Sequence, residues 1–282
     1  MIYISTGGFY NRNAYETSLE FQQNEIYNIE LSGGLFESEL ITNLKSLSSK
    51  LNFQIHNYFP PPLEPFVFNL ASQNKDISQR SFDHALNSID IASDIGNGYY
   101  SFHAGFLLDL EVKELGKKVK KRTLNDRSEA VKIFIENINK LAKIAEQKGI
   151  KLLIENNVIS ERNYNEFKED PFLMTQSEEC IEVMKSVPNN VKMLVDLAHL
   201  KVSSNSLNFD AIDFLTKCDS WISAYHLSDN DGTTDSNQPF SEDSWFWPYL
   251  KKNLNYYGIE VYTYDFSVLK NQKLFLEQML KS

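Results

Sequence analysis

SEAVKIFIENINKLAKIAEQKGIKLLIEN, residues Ser128–Asn156, holds one helix-plus-strand unit from which the rest of the chain can be read. Val131, Ile135, Ile138, Leu141, Ile144 and Ala145 recur at helical spacing and make one apolar face, and Gly149 ends the helix. The run Lys151–Glu155 is too short for a second helix. Its continuous apolar middle suits a parallel strand covered on both faces. Working outward, the same alternation goes round eight times. Strands are expected at Ile2–Thr6, Ile26–Leu31, Asn52–His56, Tyr99–His103, Lys151–Glu155, Val191–Asp196, Trp221–His226 and Ile259–Thr263. Helical patterns recur at Ile77–Ala92, Ser128–Gln147, Glu178–Ser186, Asp210–Lys217 and Val268–Leu280. Strands separated by helices imply right-handed βαβ units and a parallel sheet. Eight such units in about 260 residues point to a closed barrel. The expected fold class is therefore α/β, a (β/α)₈ TIM barrel, as one domain over residues 1–282. Long loops are expected after strands three (Asn57–Asn69, with Pro60, Pro61 and Pro62), four (Ala104–Asn125), five (Asn156–Gln176) and seven (Leu227–Asp243). All four would lie on the face where barrels of this kind place their active sites.

Composition narrows the function classes. The formal net charge is −10 at pH 7, so nothing draws the chain non-specifically onto nucleic acid or anionic lipid. The one basic run, Lys117-Lys118-Val119-Lys120-Lys121-Arg122, reads as a solvated loop or helix start, or as a phosphate contact. No stretch approaches the ~18 apolar residues of a membrane span. The start MIYISTGG lacks the basic region of a signal peptide. Cys180 and Cys218 are far apart and outside any CxxC pair, which suits reduced thiols and a cytoplasmic setting.

The chemistry-bearing residues are placed unevenly. Of five histidines, His56, His103, His199 and His226 sit at or just past expected strand ends, and only His84 falls inside a helix. Glu155 closes strand five, Asp196 closes strand six, and Glu260 lies in strand eight; Asp229 and Asp235 follow His226. Strand ends in a barrel open onto one mouth, so residues distant in sequence meet there. Imidazole with carboxylate is a good donor set for Zn²⁺, Mn²⁺, Co²⁺ or Fe²⁺. Each residue also has a plain structural reading. A strand-end His can be a rim residue, Glu155-Asn156-Asn157 a polar turn, and Asp196 a helix cap. The all-structural reading needs a separate explanation for every residue.

These residues carry a resemblance to the xylose-isomerase-like barrels, the superfamily of sugar-phosphate isomerases and epimerases and of endonuclease IV. IHNYFPPPLEPFVFNLAS (Ile55–Ser72), FHAGF (Phe102–Phe106), LLIEN (Leu152–Asn156), LVDLAH (Leu194–His199), YHLSDNDGTTDSN (Tyr225–Asn237) and IEVY (Ile259–Tyr262) resemble its motifs in order. The resemblance implies Glu155, Asp196, His226 and Glu260 as metal ligands common to both branches. It implies His56, His103, His199 and Asp235 as the additional ligands of a three-zinc site. Asn237 stands where the second His of that family's Asp-x-His would be, which weakens a third metal.

Two chemistries follow. In the first, a divalent ion (Zn, Mn, Co or Mg, one to two per chain) assists a sugar or sugar-phosphate isomerase or epimerase. Glu155 and Glu260 shuttle a proton through an enediolate, and His56, Tyr58, His103 and His199 bind substrate. In the second, the site is an endonuclease IV-like zinc phosphodiesterase acting on abasic DNA or a small phosphoester. The acidic balance, Asn237 and only five arginines favour a small carbohydrate partner over nucleic acid. A barrel that binds metal or sugar without turnover is the reading outside enzymology. Asp229 is expected to orient a ligand histidine. Trp245-Phe246-Trp247 reads as core packing, or as a stacking wall for a sugar. Barrels of this kind often pair, so a homodimer is compatible.

Overall fold

The computed structural model describes residues 1–281. Eight strands close into one all-parallel barrel in chain order, β1 pairing with both β2 and β8. They are β1 (Ile2–Ser5), β2 (Asn28–Leu31), β3 (Asn52–His56), β4 (Gly96–His103), β5 (Lys151–Glu155), β6 (Val191–Asp196), β7 (Ile222–Leu227) and β8 (Tyr256–Ile259). The helices are α1 (Ala14–Gln23), α2 (Leu40–Leu47), α3 (Lys75–Ile95), α4 (Arg127–Gln147), α5 (Glu161–Phe167), α6 (Ser177–Ser186), α7 (Leu197–Leu207), α8 (Ala211–Cys218) and α9 (Phe266–Lys281). No described helix is long and apolar enough to cross a membrane. The expected (β/α)₈ architecture is thus the observed one.

Each strand turns alternate residues inward and outward. The outward set packs beneath the helices in one large core that includes Ile29, Ile55, Phe102, Ile154, Val195 and Ile259. The inward set near the strand starts forms a separate plug of Tyr3, Leu153, Leu194, Ala224 and Tyr256, with Tyr99 packed against it. A third small cluster, Leu108, Val119, Ile159, Phe167 and Phe172, holds the loops after β4 and β5 together.

Local chemistry sets the helix ends. Asn74, Asp126, Asp196 and Asp210 each accept a backbone N–H from the first turn of α3, α4, α7 and α8. On α4, Val131, Ile138, Leu141 and Ala145 of the expected stripe are buried together with Ala130, Phe134 and Ala142, while Ile135 and Ile144 are half-buried at its edge.

Three expectations need correction. Strand eight ends at Ile259 rather than beginning there, so Glu260 is the first residue beyond it. Within the observed strand, a Cβ at Gly258 would lie 2.6 Å from His226 Cδ2, so glycine is what the packing inside the barrel demands. The stretch expected as a loop after strand five contains α5, held at its start by Ser160. Strand four begins three residues earlier than expected, at Gly96, and runs through Gly98 in the left-handed region.

Candidate metal centre

Strand register brings the expected residues to one level. His103 is paired with Glu155 across β4 and β5, and Asp196 with His226 across β6 and β7. Each belongs to an inward-facing set, so their side chains converge at the mouth. One donor atom each from Glu155, Asp196, His226 and Glu260 lies within 4.8 Å of all the others, and His56, His103 and Glu155 form a second such group.

Glu155 joins the two groups. Its Oε1 lies 3.1 Å from His226 Nδ1, while its Oε2 lies 3.4 Å from His56 Nε2 and 3.3 Å from His103 Nδ1. Oε2 nevertheless has no hydrogen-bond partner, and neither does Asp196 Oδ2. Asp196 does two jobs. Its Oδ1 accepts the His199 backbone N–H at 2.7 Å and starts α7, and its Oδ2 turns to the cluster, 4.0 Å from His226 Nδ1. The cap reading of Asp196 is thus observed, while its second oxygen remains turned toward the cluster. His199 follows from that cap: its Nδ1 meets Asn156 O at 3.0 Å and its Nε2 meets Asp235 Oδ2 at 3.2 Å.

The Asn156-Asn157 pair clamps the strand ends. Asn156 accepts from Asp196 N and donates to Asp196 O, and Asn157 donates to the carbonyls of Ala104, Gly105 and Leu173. The polar turn is therefore the frame that holds Glu155 and Asp196 beside each other.

Sequence reasoning missed Glu30. This fully buried carboxylate on β2 accepts from Tyr256 Oη, and its Oε2 lies 2.9 Å from His226 Nε2. A signal was present: Glu30 shares the inward alternation of Asn28, and a helix-covered strand has no reason to place a lone carboxylate unless the barrel interior wants it.

Other expected residues lie apart from this network. The Tyr58 hydroxyl accepts the Phe66 N–H at 2.7 Å, and its ring stacks on His84 with centroids 5.1 Å apart. Asp229 does not orient a ligand histidine. It accepts from Lys201 Nζ, Ser244 Oγ and Asn230 N, propping the β7 loop against α7. Phe246 and Trp247 are buried against Phe240 and Phe275, as core packing. The basic run is partly neutralised within the chain: Arg122 forks onto Glu114, and Lys118 meets Glu166 at 2.6 Å.

Electrostatics show an excess of negative charge. Burial opposes the ionisation of Glu30, but His226 and His56 outweigh it and hold Glu30 at about 2. Burial likewise works against Glu155, yet His103, His226 and His56 keep its carboxyl well below the usual range. Asp196 goes the other way. Burial, with Glu155, Asp235 and Glu260 nearby, pushes it up to about 8 against the pull of His199. Burial alone would lower His226 and His199, but the surrounding carboxylates raise both well above the ordinary imidazole value. His103, the most open of the four, is pushed down to about 4 by burial. Of the five carboxylates Glu30, Glu155, Asp196, Asp235 and Glu260, all but Glu260 keep a buried oxygen without a hydrogen bond, and a divalent cation held by the tetrad fits as the missing partner.

Comparison with known proteins agrees with the architecture. No curated protein sequence matches the chain. Among solved structures, a D-tagatose 3-epimerase-like protein superposes with a TM-score of 0.74 at 17% identity, covering 99% of this chain and 97% of that one. D-psicose 3-epimerase from Clostridium cellulolyticum H10, solved with D-tagatose, gives 0.67 at 13% identity and 99% coverage of both chains. A family 2 AP endonuclease from Brucella melitensis gives 0.63 at 14% identity, covering 97% and 98%. At these identities the likeness shows a shared fold. The model of the xylose isomerase-like TIM barrel matches residues 21–265. Barrel topology, site placement and this match over most of the chain agree that the protein belongs to the xylose isomerase-like TIM barrel family.

Proposed function

We propose that this protein is a divalent-metal-dependent isomerase or epimerase of a small sugar or sugar phosphate, working by proton transfer beside a carbonyl. The observation that carries the reading is the convergence of Glu155, Asp196, His226 and Glu260, two glutamates included, at the barrel mouth. These four residues would hold the ion, which supplies a Lewis acid that acidifies the C–H next to a substrate carbonyl. Glu155 Oε2, buried and without a hydrogen bond, is the proton-accepting atom. Glu260, whose Oε1 lies 3.3 Å from the Tyr262 hydroxyl, returns a proton from the other side, so that the substrate passes through an enediolate. His199 and His103 line the mouth. His103, neutral at ordinary pH, hydrogen-bonds a substrate hydroxyl, and His56, held by its own bond to Ser101 Oγ, stands beside Glu155 Oε2.

The test is incorporation of solvent deuterium into ketoses and sugar phosphates, followed by NMR alongside metal content per chain. One divalent ion and exchange at the carbon beside the carbonyl are expected. Absence of exchange across the panel with metal loaded would overturn the reading.

The second reading, an endonuclease IV-like phosphodiesterase, is favoured by one feature: Glu155 turns its second oxygen to a separate donor group with His56 and His103. It predicts two zinc ions per chain, cleavage of abasic DNA or a small phosphodiester, and a gain of zinc in Asn237→His. Partners under the first reading are small carbohydrates alone.

A further inference from the structure

An imidazole that ligates a metal through one nitrogen must fix the proton on the other, and its ring must be stopped from flipping. His226 is arranged for this. Its Nδ1 faces three carboxylates, with Glu155 Oε1 at 3.1 Å, Glu260 Oε2 at 3.5 Å and Asp196 Oδ2 at 4.0 Å. Its Nε2 faces one, Glu30 Oε2, at 2.9 Å. The same Glu30 oxygen also accepts from the Tyr256 hydroxyl. Glu30 and Tyr256 take no part in the proton transfer described above.

A second observation is independent of these hydrogen bonds. Gly258 lies against this contact on β8. A Cβ there would come within 2.6 Å of His226 Cδ2, 2.9 Å of His226 Nε2 and 3.1 Å of Glu30 Oε2. A glycine has been placed where any side chain would wedge the imidazole off the carboxylate. Strands β2, β7 and β8 each contribute one element of a single contact.

We propose that Glu30 is a positioning residue for the metal centre. It accepts the Nε2–H of His226, fixes the tautomer that leaves the Nδ1 lone pair facing Glu155, Asp196 and Glu260, and is itself aligned by Tyr256. This rests on the metal reading of the tetrad. It assigns to the Glu30, His56 and His226 group a supporting role in place of a separate ion.

The experiment measures Zn²⁺ affinity of metal-free full-length protein by competition with a chromophoric chelator, in the wild type, Glu30→Gln, Tyr256→Phe and Glu155→Gln. Circular dichroism checks the fold of each. A ten- to hundredfold weaker Zn²⁺ Kd is expected for Glu30→Gln, a smaller loss for Tyr256→Phe, and a large loss for Glu155→Gln. Long-range ¹H–¹⁵N spectra of ¹⁵N-histidine protein should show Zn²⁺ moving the His226 Nδ1 resonance while Nε2 keeps its proton. Unchanged Zn²⁺ affinity in Glu30→Gln, with Glu155→Gln impaired, overturns the role of Glu30 and spares the metal reading. Unchanged affinity in both overturns the metal reading as well. Zn²⁺ appearing on His226 Nε2 makes Glu30 a direct ligand and overturns the proposal. Should Glu30→Gln fail to fold, the His226 spectra of the wild type and Tyr256→Phe decide.

Discussion

Glu155 is the joint of the cluster, one oxygen toward His226 and the other toward His56 and His103. Neutralising it would remove both a proposed ligand charge and the proposed proton acceptor. Glu155→Gln is expected to lower the rate of solvent exchange by about 10²–10⁴-fold, the usual worth of a general base. Its circular dichroism should stay that of the wild type. Gly258 makes a separate prediction. Gly258→Ala must move either the His226 ring or the β8 backbone, since the nearest atom is part of a rigid imidazole. A loss of about 1–3 kcal/mol in urea unfolding is expected from such overpacking, together with weaker Zn²⁺ binding. Wild-type stability and affinity would show that the interior yields more easily than the packing suggests.

Helix α3 carries the fifth histidine, the one outside the barrel mouth. His84 is buried among Tyr58, Phe66 and Phe68, and burial, reinforced by Arg80, lowers it to about 4 from 6.5. Between those values the unfolded chain binds a proton that the folded helix refuses. Stability should therefore fall as pH drops from about 6.5 toward 4, by at most about 3 kcal/mol from this group. His84→Phe should remove that part of the slope in urea titrations at pH 7.5 and 5, and an unchanged slope would rule His84 out. Elements also differ in how legible they are in the sequence. The apolar runs β3, β5 and β6 can be read to the residue, and α4 nearly so. Strand β8 cannot, because the need for Gly258 inside it arises only from His226 across the barrel. Glu30 was hidden for a related reason. Polar alternation in a strand ordinarily signals a solvent face, whereas here the outward face lies under helices and the polar face points into the barrel. His56, His103, Glu155, Asp196 and His226 were visible because they close their strands or nearly so. Their distances were not, since those depend on inter-strand register.

Barrel closure forces the acidic groups together, and the chain as a whole bears the cost. Glu30, Glu155, Asp196 and Glu260 are all buried in a protein already at −10. Bound metal should therefore stabilise the entire fold. At a hundred times its Kd it adds ~2.7 kcal/mol, so chelator treatment is expected to lower Tm on the order of 5–10 °C. Calorimetry with and without EDTA checks this, and readdition of Zn²⁺ or Mn²⁺ should restore the transition. A Tm indifferent to chelator would mean that the carboxylates are tolerated by their imidazole partners alone.

The plug of Tyr3, Leu153, Leu194, Ala224 and Tyr256 fills the barrel beneath the site and leaves the loop face as its opening. Under the proposed function, a substrate that enters between the loops would leave the same way. If the proposed isomerase reading holds, substrate and product would share one opening, and each should inhibit the other competitively. A molecule that caps the mouth would silence the forward and reverse reactions to the same degree.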